Sequence, residues 1–176
     1  WGMKNIRELD WYETDKVKGV KFQSTPAIHR ANRGLFDINQ SLWSGFLITG
    51  YIKNKLQRIW FSGDTGFSPV FEKKVSKRLP PVDLAIIPIG AFLPRDITKP
   101  VHVTPEEGLK LANVMGAKIA IPMHWGTFPL GEDSPKTGMR RFFQAPVSGI
   151  NKLIMKIGET IDLTKFNWLT GQISVD

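Results

Sequence analysis

The sequence predicts an α/β (α+β) protein in which helices cover a sheet, and three observations lead to that class. From residue 58 onward, apolar stretches of strand length alternate with helix-forming segments. Residues 83–89 form an almost continuous apolar run, which is typical of a strand buried on both faces. Residues 104–107, Thr-Pro-Glu-Glu, place a threonine, a proline and a glutamate where a helix start needs them.

The other elements follow in chain order. Alternating polarity over 17–25 predicts a half-buried strand, and residues 42–49 and 58–62 predict a β-hairpin. Ser68 as N-cap and Pro69 in the first turn predict a helix over 68–79. The remaining predictions are a long loop over 90–103, a helix over 104–115, a strand over 118–122, a short helix over 139–145 and a strand–turn–strand over 153–163.

Composition limits the chemistry and the partners. The absence of cysteine excludes disulfides, thiolate metal sites and a cysteine nucleophile. A formal net charge of +8 favours anionic partners, among them an anionic membrane surface in peripheral contact. The basic residues are scattered without a long run, which argues against specific nucleic-acid binding. No apolar run reaches the roughly 18 residues of a membrane span, so we expect a cytoplasmic or membrane-peripheral location.

Three candidate metal ligands each follow a predicted strand: His29, Asp64 and His124. Imidazole and carboxylate groups suit zinc, and also iron or manganese. A carboxylate has two oxygens, so Asp64 can bridge two ions. Each residue also has an ordinary explanation, as a surface histidine, a Gly-Asp turn and a core histidine respectively. Spacing alone leaves both interpretations open.

A series of ordered blocks resembles a known family. Together they are similar to the C-terminal half of a metallo-β-lactamase-fold hydrolase, in the branch of N-acyl-phosphatidylethanolamine-hydrolysing phospholipase D. The resemblance runs from about residue 11 to 163, so we treat 1–176 as one domain with its core at 11–163 and a tail at 164–176. The blocks are Thr25-Pro-Ala-Ile-His29, Arg33-Gly-Leu-Phe-Asp37, Leu42-Trp43, Phe61-Ser-Gly-Asp-Thr-Gly66, Pro88-Ile-Gly-Ala91 with Pro94-Arg95, Lys99-Pro-Val-His102 with Pro105-Glu-Glu107, and His124-Trp-Gly-Thr-Phe128.

The resemblance implies an αβ/βα sandwich with two zinc ions at one edge of two facing sheets. His29 and His124 are similar to the family's histidine ligands, and Asp64 is similar to its bridging aspartate, which makes Asp64 the expected catalytic residue. His102 is similar to a histidine that lies beside the substrate. The implied reaction is phospholipase D-like hydrolysis of a small-molecule or lipid phosphodiester by a metal-activated hydroxide.

The chain departs from the family in one large respect. The family's His-x-His-x-Asp-His motif supplies four metal ligands, and these 176 residues contain three histidines and no such motif. We therefore expect the C-terminal half or an incomplete copy of the fold, inactive or nearly so alone and complete as an enzyme only with missing N-terminal sequence. The alternative is a non-catalytic truncated or degenerate half-fold that acts as a remnant or binding module.

A half-sandwich has a consequence for solution behaviour. One sheet of a two-sheet core would expose an apolar face, for which Trp43, Phe46, Phe61 and Ile86 are the candidates. We therefore expect the chain to pair with the missing N-terminal half or to self-associate.

Overall fold

The computed structural model describes residues 2–32, 34–156 and 158–172, and these residues form a seven-stranded sheet with its strands in chain order. Predictions that involve Trp1, Arg33, Ile157 or residues 173–176 lie outside the described residues. Neighbouring strands are antiparallel from β1 to β4 and parallel from β4 to β7. The strands are β1 (Thr14–Val17), β2 (Val20–Pro26), β3 (Ser44–Ile52), β4 (Lys55–Phe61), β5 (Leu84–Pro88), β6 (Ile119–Met123) and β7 (Asn151–Lys152).

Tight turns shape the antiparallel part of the sheet. The strand predicted over 17–25 is confirmed as β2 from Val20 onward, but Lys18 and Gly19 have positive φ and form the turn that joins it to β1. Lys53 and Asn54 also have positive φ and join β3 to β4, which confirms the predicted hairpin with longer strands than expected. The prediction missed the first turn because it treated Lys18-Gly19 as part of one continuous strand, although glycine is a common turn residue.

The helical segments differ from the predictions mainly in where they begin. The segment predicted over 68–79 is a π-helical turn followed by one short α-helical turn, and an extra helix interrupts the loop predicted over 90–103. The helix predicted over 139–145 begins at Pro135, because the Ser134 hydroxyl accepts a hydrogen bond from the Thr137 N–H. The segments are the π-turn Phe71–Val75, α1 (Ser76–Arg78), α2 (Arg95–Thr98), α3 (Pro105–Val114) and α4 (Pro135–Gln144). No helix in the described ranges is long and apolar enough to cross a membrane.

Apolar clusters lie on both faces of the sheet. The larger cluster joins Trp60 and Ile87 of the sheet to residues of the helical segments, including Phe71 and Leu109. On the opposite face, Leu84, Ile119, Phe166 and Trp168 form a smaller cluster.

The C-terminal segment differs from its prediction in two ways. Phe166 and Trp168 are 6% and 9% exposed, so two side chains of the predicted tail belong to the core. Among the described residues of 153–163 none lies in a strand, because the parallel edge of the sheet ends with the two-residue β7.

Part of the sheet presents apolar side chains to solvent. Phe46 pairs with Phe61, and Phe61 pairs with Ile86, so the three side chains share one face. Phe46 and Phe61 are 36% and 38% exposed, while Ile86 is half-buried. Trp43 was predicted to belong to this exposed face, but its ring packs edge-on against Trp11 instead.

Candidate metal centre

Several strand ends meet at one edge of the sheet and carry the candidate ligands. Asp64 follows β4, and His124 follows β6 directly. β2 runs in the same direction as β4 because both are antiparallel to β3, so His29 leaves the sheet at the same edge. The carboxyl ends of such strands are the usual place for an α/β protein to build a site.

The Asp64 turn is held by backbone contacts that its glycines permit. Gly63 has φ of 67°, and a Cβ on it would collide with the carbonyl oxygen of Ser44. A Cβ on Gly66 would meet the carbonyl oxygen of Pro100 at 2.5 Å. The turn therefore lies close to β3 on one side and to the loop that carries His102 on the other.

Thr65 joins three site-bearing segments, and sequence reasoning did not single it out. Its hydroxyl accepts a hydrogen bond from the Ile28 N–H at 2.9 Å, next to His29. Its carbonyl oxygen accepts one from the Val103 N–H at 2.9 Å, next to His102. Thr65 is fully buried. Its place between Asp64 and Gly66 was the only signal in the sequence, and the partners of its hydroxyl are visible only in the fold.

The three histidines surround Asp64. His29 Nε2 lies 3.2 Å from Asp64 Oδ2, His102 Nδ1 lies 3.2 Å from Asp64 Oδ1, and His124 Nε2 lies 3.4 Å from Asp64 Oδ2. The His102 ring lies between the other two, with a centroid distance of 5.4 Å to each. The structure thus brings together the predicted residues His29, Asp64 and His124. It also puts His102, predicted as a substrate contact, against the same carboxylate.

The buried donor atoms lack ordinary partners. His29 Nε2, Asp64 Oδ1 and His102 Nδ1 are buried and make no hydrogen bond to the described residues, although the Asp64–histidine distances are short. One ligand atom from each of these residues lies within 4.8 Å of the other two. An unpartnered cluster of this kind is costly unless a proton or a cation lies between the atoms.

Hydrogen bonding sets the tautomer of His29. Its Nδ1–H donates to the carbonyl oxygen of Arg30 at 2.8 Å. A carbonyl can only accept, so the lone pair of neutral His29 is on Nε2 and faces the Asp64 carboxylate. A second hydrogen bond of this type is what orients a metal-binding imidazole.

Charge in the cluster shifts the ionisation of its members. The contact with Asp64 raises the pKa of His29 above its ordinary value, against the effect of burial. Burial alone would raise the pKa of Asp64, but the imidazoles of His102 and His29 outweigh it and hold that pKa well below its usual range. Asp64 is therefore an anion at neutral pH and attracts a proton or a metal ion to the facing nitrogens.

Two apolar cavities open beside the cluster. One of 260 Å³ lies next to His124 and is lined mainly by loop residues, including Trp125, Phe128 and Leu130. The other, a groove of 650 Å³, reaches His29. Its apolar walls include Trp11, Trp43 and Phe71, and its rim carries the exposed cations Lys73, Lys74, Lys77 and Arg78. Both cavities have volumes suited to small ligands.

The donor set fits a divalent transition metal. One carboxylate and neutral imidazoles are the ligands of zinc, iron and manganese sites. The unpartnered buried nitrogens and the oriented His29 ring are what such a site requires before the ion binds.

Comparisons with known proteins agree with this arrangement. The family described as "Beta-lactamase superfamily domain" matches residues 2–125, well over half of the chain. The chain is 40% identical over 134 residues to N-acyl-phosphatidylethanolamine-hydrolyzing phospholipase D 1 of Caenorhabditis elegans, covering 74% of this chain and 36% of that protein. It is 33% identical over 164 residues to a UPF0173 metal-dependent hydrolase of Listeria welshimeri, covering 92% of this chain and 64% of that protein.

A solved structure supports the fold. Igni18, a metallo hydrolase from Ignicoccus hospitalis, superposes with a TM-score of 0.61 at 20% identity, over 91% of this chain and 61% of Igni18. The chain thus spans about a third of the length of the nematode relative and less than two thirds of the other two proteins. The predicted fold class and the predicted resemblance are both confirmed. The chain belongs to the β-lactamase superfamily domain family and has the metallo-β-lactamase fold.

Proposed function

We propose that the protein of which this chain forms part or all is a metal-dependent hydrolase of phosphodiesters, with Asp64, His29, His102 and His124 on one wall of its metal centre. The observation that carries the proposal is the facing pair of His29 Nε2 and Asp64 Oδ2 at 3.2 Å, in which the tautomer of His29 turns a lone pair toward a carboxylate. Two acceptors at that distance repel each other unless a proton or a metal ion lies between them, and we propose the metal ion.

The four side chains have separate tasks under this proposal. Asp64 offers both carboxylate oxygens at the centre of the cluster and is the predicted bridging and catalytic residue. His29 and His124 are the predicted metal ligands. His102, the least exposed of the three histidine side chains at 17%, is the predicted substrate contact, and its Nδ1 is also close enough to Asp64 and His29 to serve as a metal ligand. A bound divalent metal supplies Lewis-acid charge for a phosphoryl oxygen and lowers the pKa of a bound water toward ~7.

Two features support a phosphodiester with an apolar substituent as the substrate. The groove that reaches His29 combines apolar walls with four exposed cations, which match an apolar chain and an anionic phosphate. The nematode relative is named for hydrolysis of a phospholipid. A lipid or small-molecule phosphodiester is therefore the substrate class we propose.

The number of donors in this chain limits what it does by itself. The two-metal centre that the resemblance implies takes four ligands from a His-x-His-x-Asp-His motif, which these 176 residues do not contain. We propose that this chain alone holds one ion and hydrolyses slowly. The same lack of a motif favours the second candidate, a non-catalytic half-fold in which protons rather than a metal join Asp64 to the histidines.

Metal binding separates the two candidates. We expect titration with Zn²⁺ or Co²⁺, in competition with a chromophoric chelator, to give one ion per chain. Asp64→Asn should raise the Kd by at least roughly tenfold, because the central anion is lost. Asp96→Asn, which changes an exposed aspartate on α2, is the control and should leave the Kd unchanged. The second candidate, the non-catalytic half-fold, is supported if the wild-type chain binds no ion or if Asp64→Asn leaves the Kd unchanged.

Hydrolysis tests the substrate class. The metal-loaded chain should hydrolyse bis(p-nitrophenyl) phosphate slowly, and Asp64→Asn should abolish this activity. A larger rate enhancement over the uncatalysed reaction for p-nitrophenyl acetate than for the phosphodiester would contradict the phosphodiester proposal. Fast phosphodiester hydrolysis with two bound ions would contradict our interpretation of the missing motif.

A further inference from the structure

We propose that Arg95 and Glu107 are positioning residues that hold His102 against Asp64. The proposal rests on the proposed function for its metal-binding consequence, whereas the positioning itself rests on contacts within the chain. Arg95 lies at the start of α2, Glu107 lies in the first turn of α3, and His102 lies in the loop between these helices.

The guanidinium of Arg95 joins both ends of this loop. Its Nη1 donates a hydrogen bond to the backbone carbonyl oxygen of His102 at 2.7 Å. Its Nη2 donates to Glu107 Oε2 at 2.9 Å. The same carboxylate oxygen accepts the Thr104 N–H at 2.8 Å, so the arginine is anchored to the capping box of α3.

The backbone of His102 is also held on its other sides. Its N–H donates to the carbonyl oxygen of Thr98 at 2.8 Å, and the next residue, Val103, donates to the carbonyl oxygen of Thr65. Arg95 supplies the contact that fixes the remaining carbonyl group. These contacts fix the backbone of His102. They thereby keep its imidazole close to Asp64, with Nδ1 at 3.2 Å from Oδ1.

A direct role of Arg95 in substrate binding is disfavoured by its contacts. Both terminal nitrogens already donate to protein acceptors, and the side chains of Arg95 and Glu107 are 26% and 29% exposed. The planar fork of arginine suits two such acceptors at once, which a lysine ammonium cannot reproduce in the same geometry. Arg95 therefore acts through His102 rather than on the substrate.

The next glutamate along α3 offers a matched control. Glu106 receives hydrogen bonds from Arg141 Nε and Nη2 at 2.9 and 2.8 Å. This pair is of the same type and of similar exposure, but it joins α3 to α4 and contacts none of the three histidines. Arg95→Lys and Arg141→Lys thus weaken comparable ion pairs, and only the first should disturb the site.

The first measurement needs no metal. We expect the ring proton signals of His102 in the NMR spectrum of the metal-free chain to shift in Arg95→Lys and to stay in place in Arg141→Lys. The rings of His29 and His124 lie close to His102, so ring currents make these signals sensitive to small displacements. Three histidines allow assignment by single His→Gln variants. Unchanged His102 signals in Arg95→Lys, or equal changes in both variants, would overturn the proposal.

The second measurement is metal affinity. Arg95→Lys should raise the Kd for Zn²⁺ by roughly 10–100-fold, the usual cost of losing a group that orients a site, and Arg141→Lys should not change it. If the wild-type chain binds no metal, the proposed function fails while the NMR result still decides the positioning role. If Arg95→Lys does not fold, Glu107→Gln replaces it in the NMR measurement. A His102 shift in that variant supports the proposal, and its absence overturns it.

Discussion

Asp64 illustrates what single residues contribute to this protein. Its identity and its glycine neighbours are local features, and they predict a tight turn equally well with or without a metal. Its role comes from three histidine nitrogens within 3.4 Å, which arrive from segments 35 residues before it and 38 and 60 residues after it. The residue types were predictable because carboxylate and imidazole groups are common metal ligands, whereas the distances between them were not.

Gly90 gives a test at the same scale. A Cβ at this position would collide with the carbonyl oxygen of His124, whose own φ is 55°. Gly90→Ala should therefore displace the His124 backbone, destabilise the chain by ~1–3 kcal/mol and weaken metal binding. Chemical denaturation and the chelator competition described above measure the two effects.

Gly50→Ala is the matched control for that substitution. Its added Cβ would lie 3.6 Å from Val20, an ordinary van der Waals contact far from the histidines in the sheet register. It should leave the metal affinity unchanged. Equal losses of affinity in both variants would show that Gly90 matters only for global stability.

At the scale of elements, the helix ends predicted at 79, 115 and 145 lie within one residue of the observed ends, whereas the starts predicted at 68 and 139 are three to four residues off. Thr104, Pro105 and Glu107 form the predicted capping box, and α3 follows it. Ser134-Pro135 is a comparable signal for α4 that the prediction did not use. The segment after Ser68 forms a π-turn and β7 has two residues, and the sequence patterns predicted neither form.

The contact between α3 and α4 gives a pH-dependent prediction. Burial alone would raise the pKa of Glu106, but hydrogen bonds from Arg141 outweigh it and lower the pKa below the ordinary 4.5. A carboxylate with a lowered pKa stabilises the fold above its ordinary pKa, and this contribution is lost as the pH falls through the folded-state value. The pair is partly exposed, so we expect its contribution to be about 1 kcal/mol.

Urea unfolding of Glu106→Gln at several pH values measures this contribution. The variant should be less stable than the wild type at pH 7, and the difference should shrink below pH ~4 as the wild-type carboxylate becomes protonated. Glu8→Gln, at an exposed position, is the control. A stability difference that does not vary with pH would contradict the ion-pair explanation.

At the scale of the whole molecule, one part of the sheet presents apolar side chains that no other described segment covers fully. Phe46 and Phe61 pair across β3 and β4 and are more than a third exposed, while the segment that carries Phe166 and Trp168 covers the face at β5 and β6. We expect the chain to bind an apolar dye and to self-associate or to pair with a second sheet, since burial of such side chains is favourable.

Light scattering and dye fluorescence test this expectation. Replacing both Phe46 and Phe61 with threonine should reduce self-association and dye binding without loss of strand content, because threonine suits a strand surface. Phe143→Thr, at an exposed position on α4, should have a smaller effect. A monomeric wild-type chain with no excess dye binding would contradict the prediction.

The sequence by itself determined the alternation of strands and helices, the donor types at His29, Asp64 and His124, and the family resemblance, because these depend on local pattern and residue chemistry. The tertiary structure decided the approach of His102 to Asp64, the role of Thr65 between three segments and the burial of Phe166 and Trp168. Those features arise where residues distant in the chain meet at one sheet edge or on one sheet face. Neither periodicity nor spacing carries that information, since contacts of this kind depend on how the whole sheet is assembled.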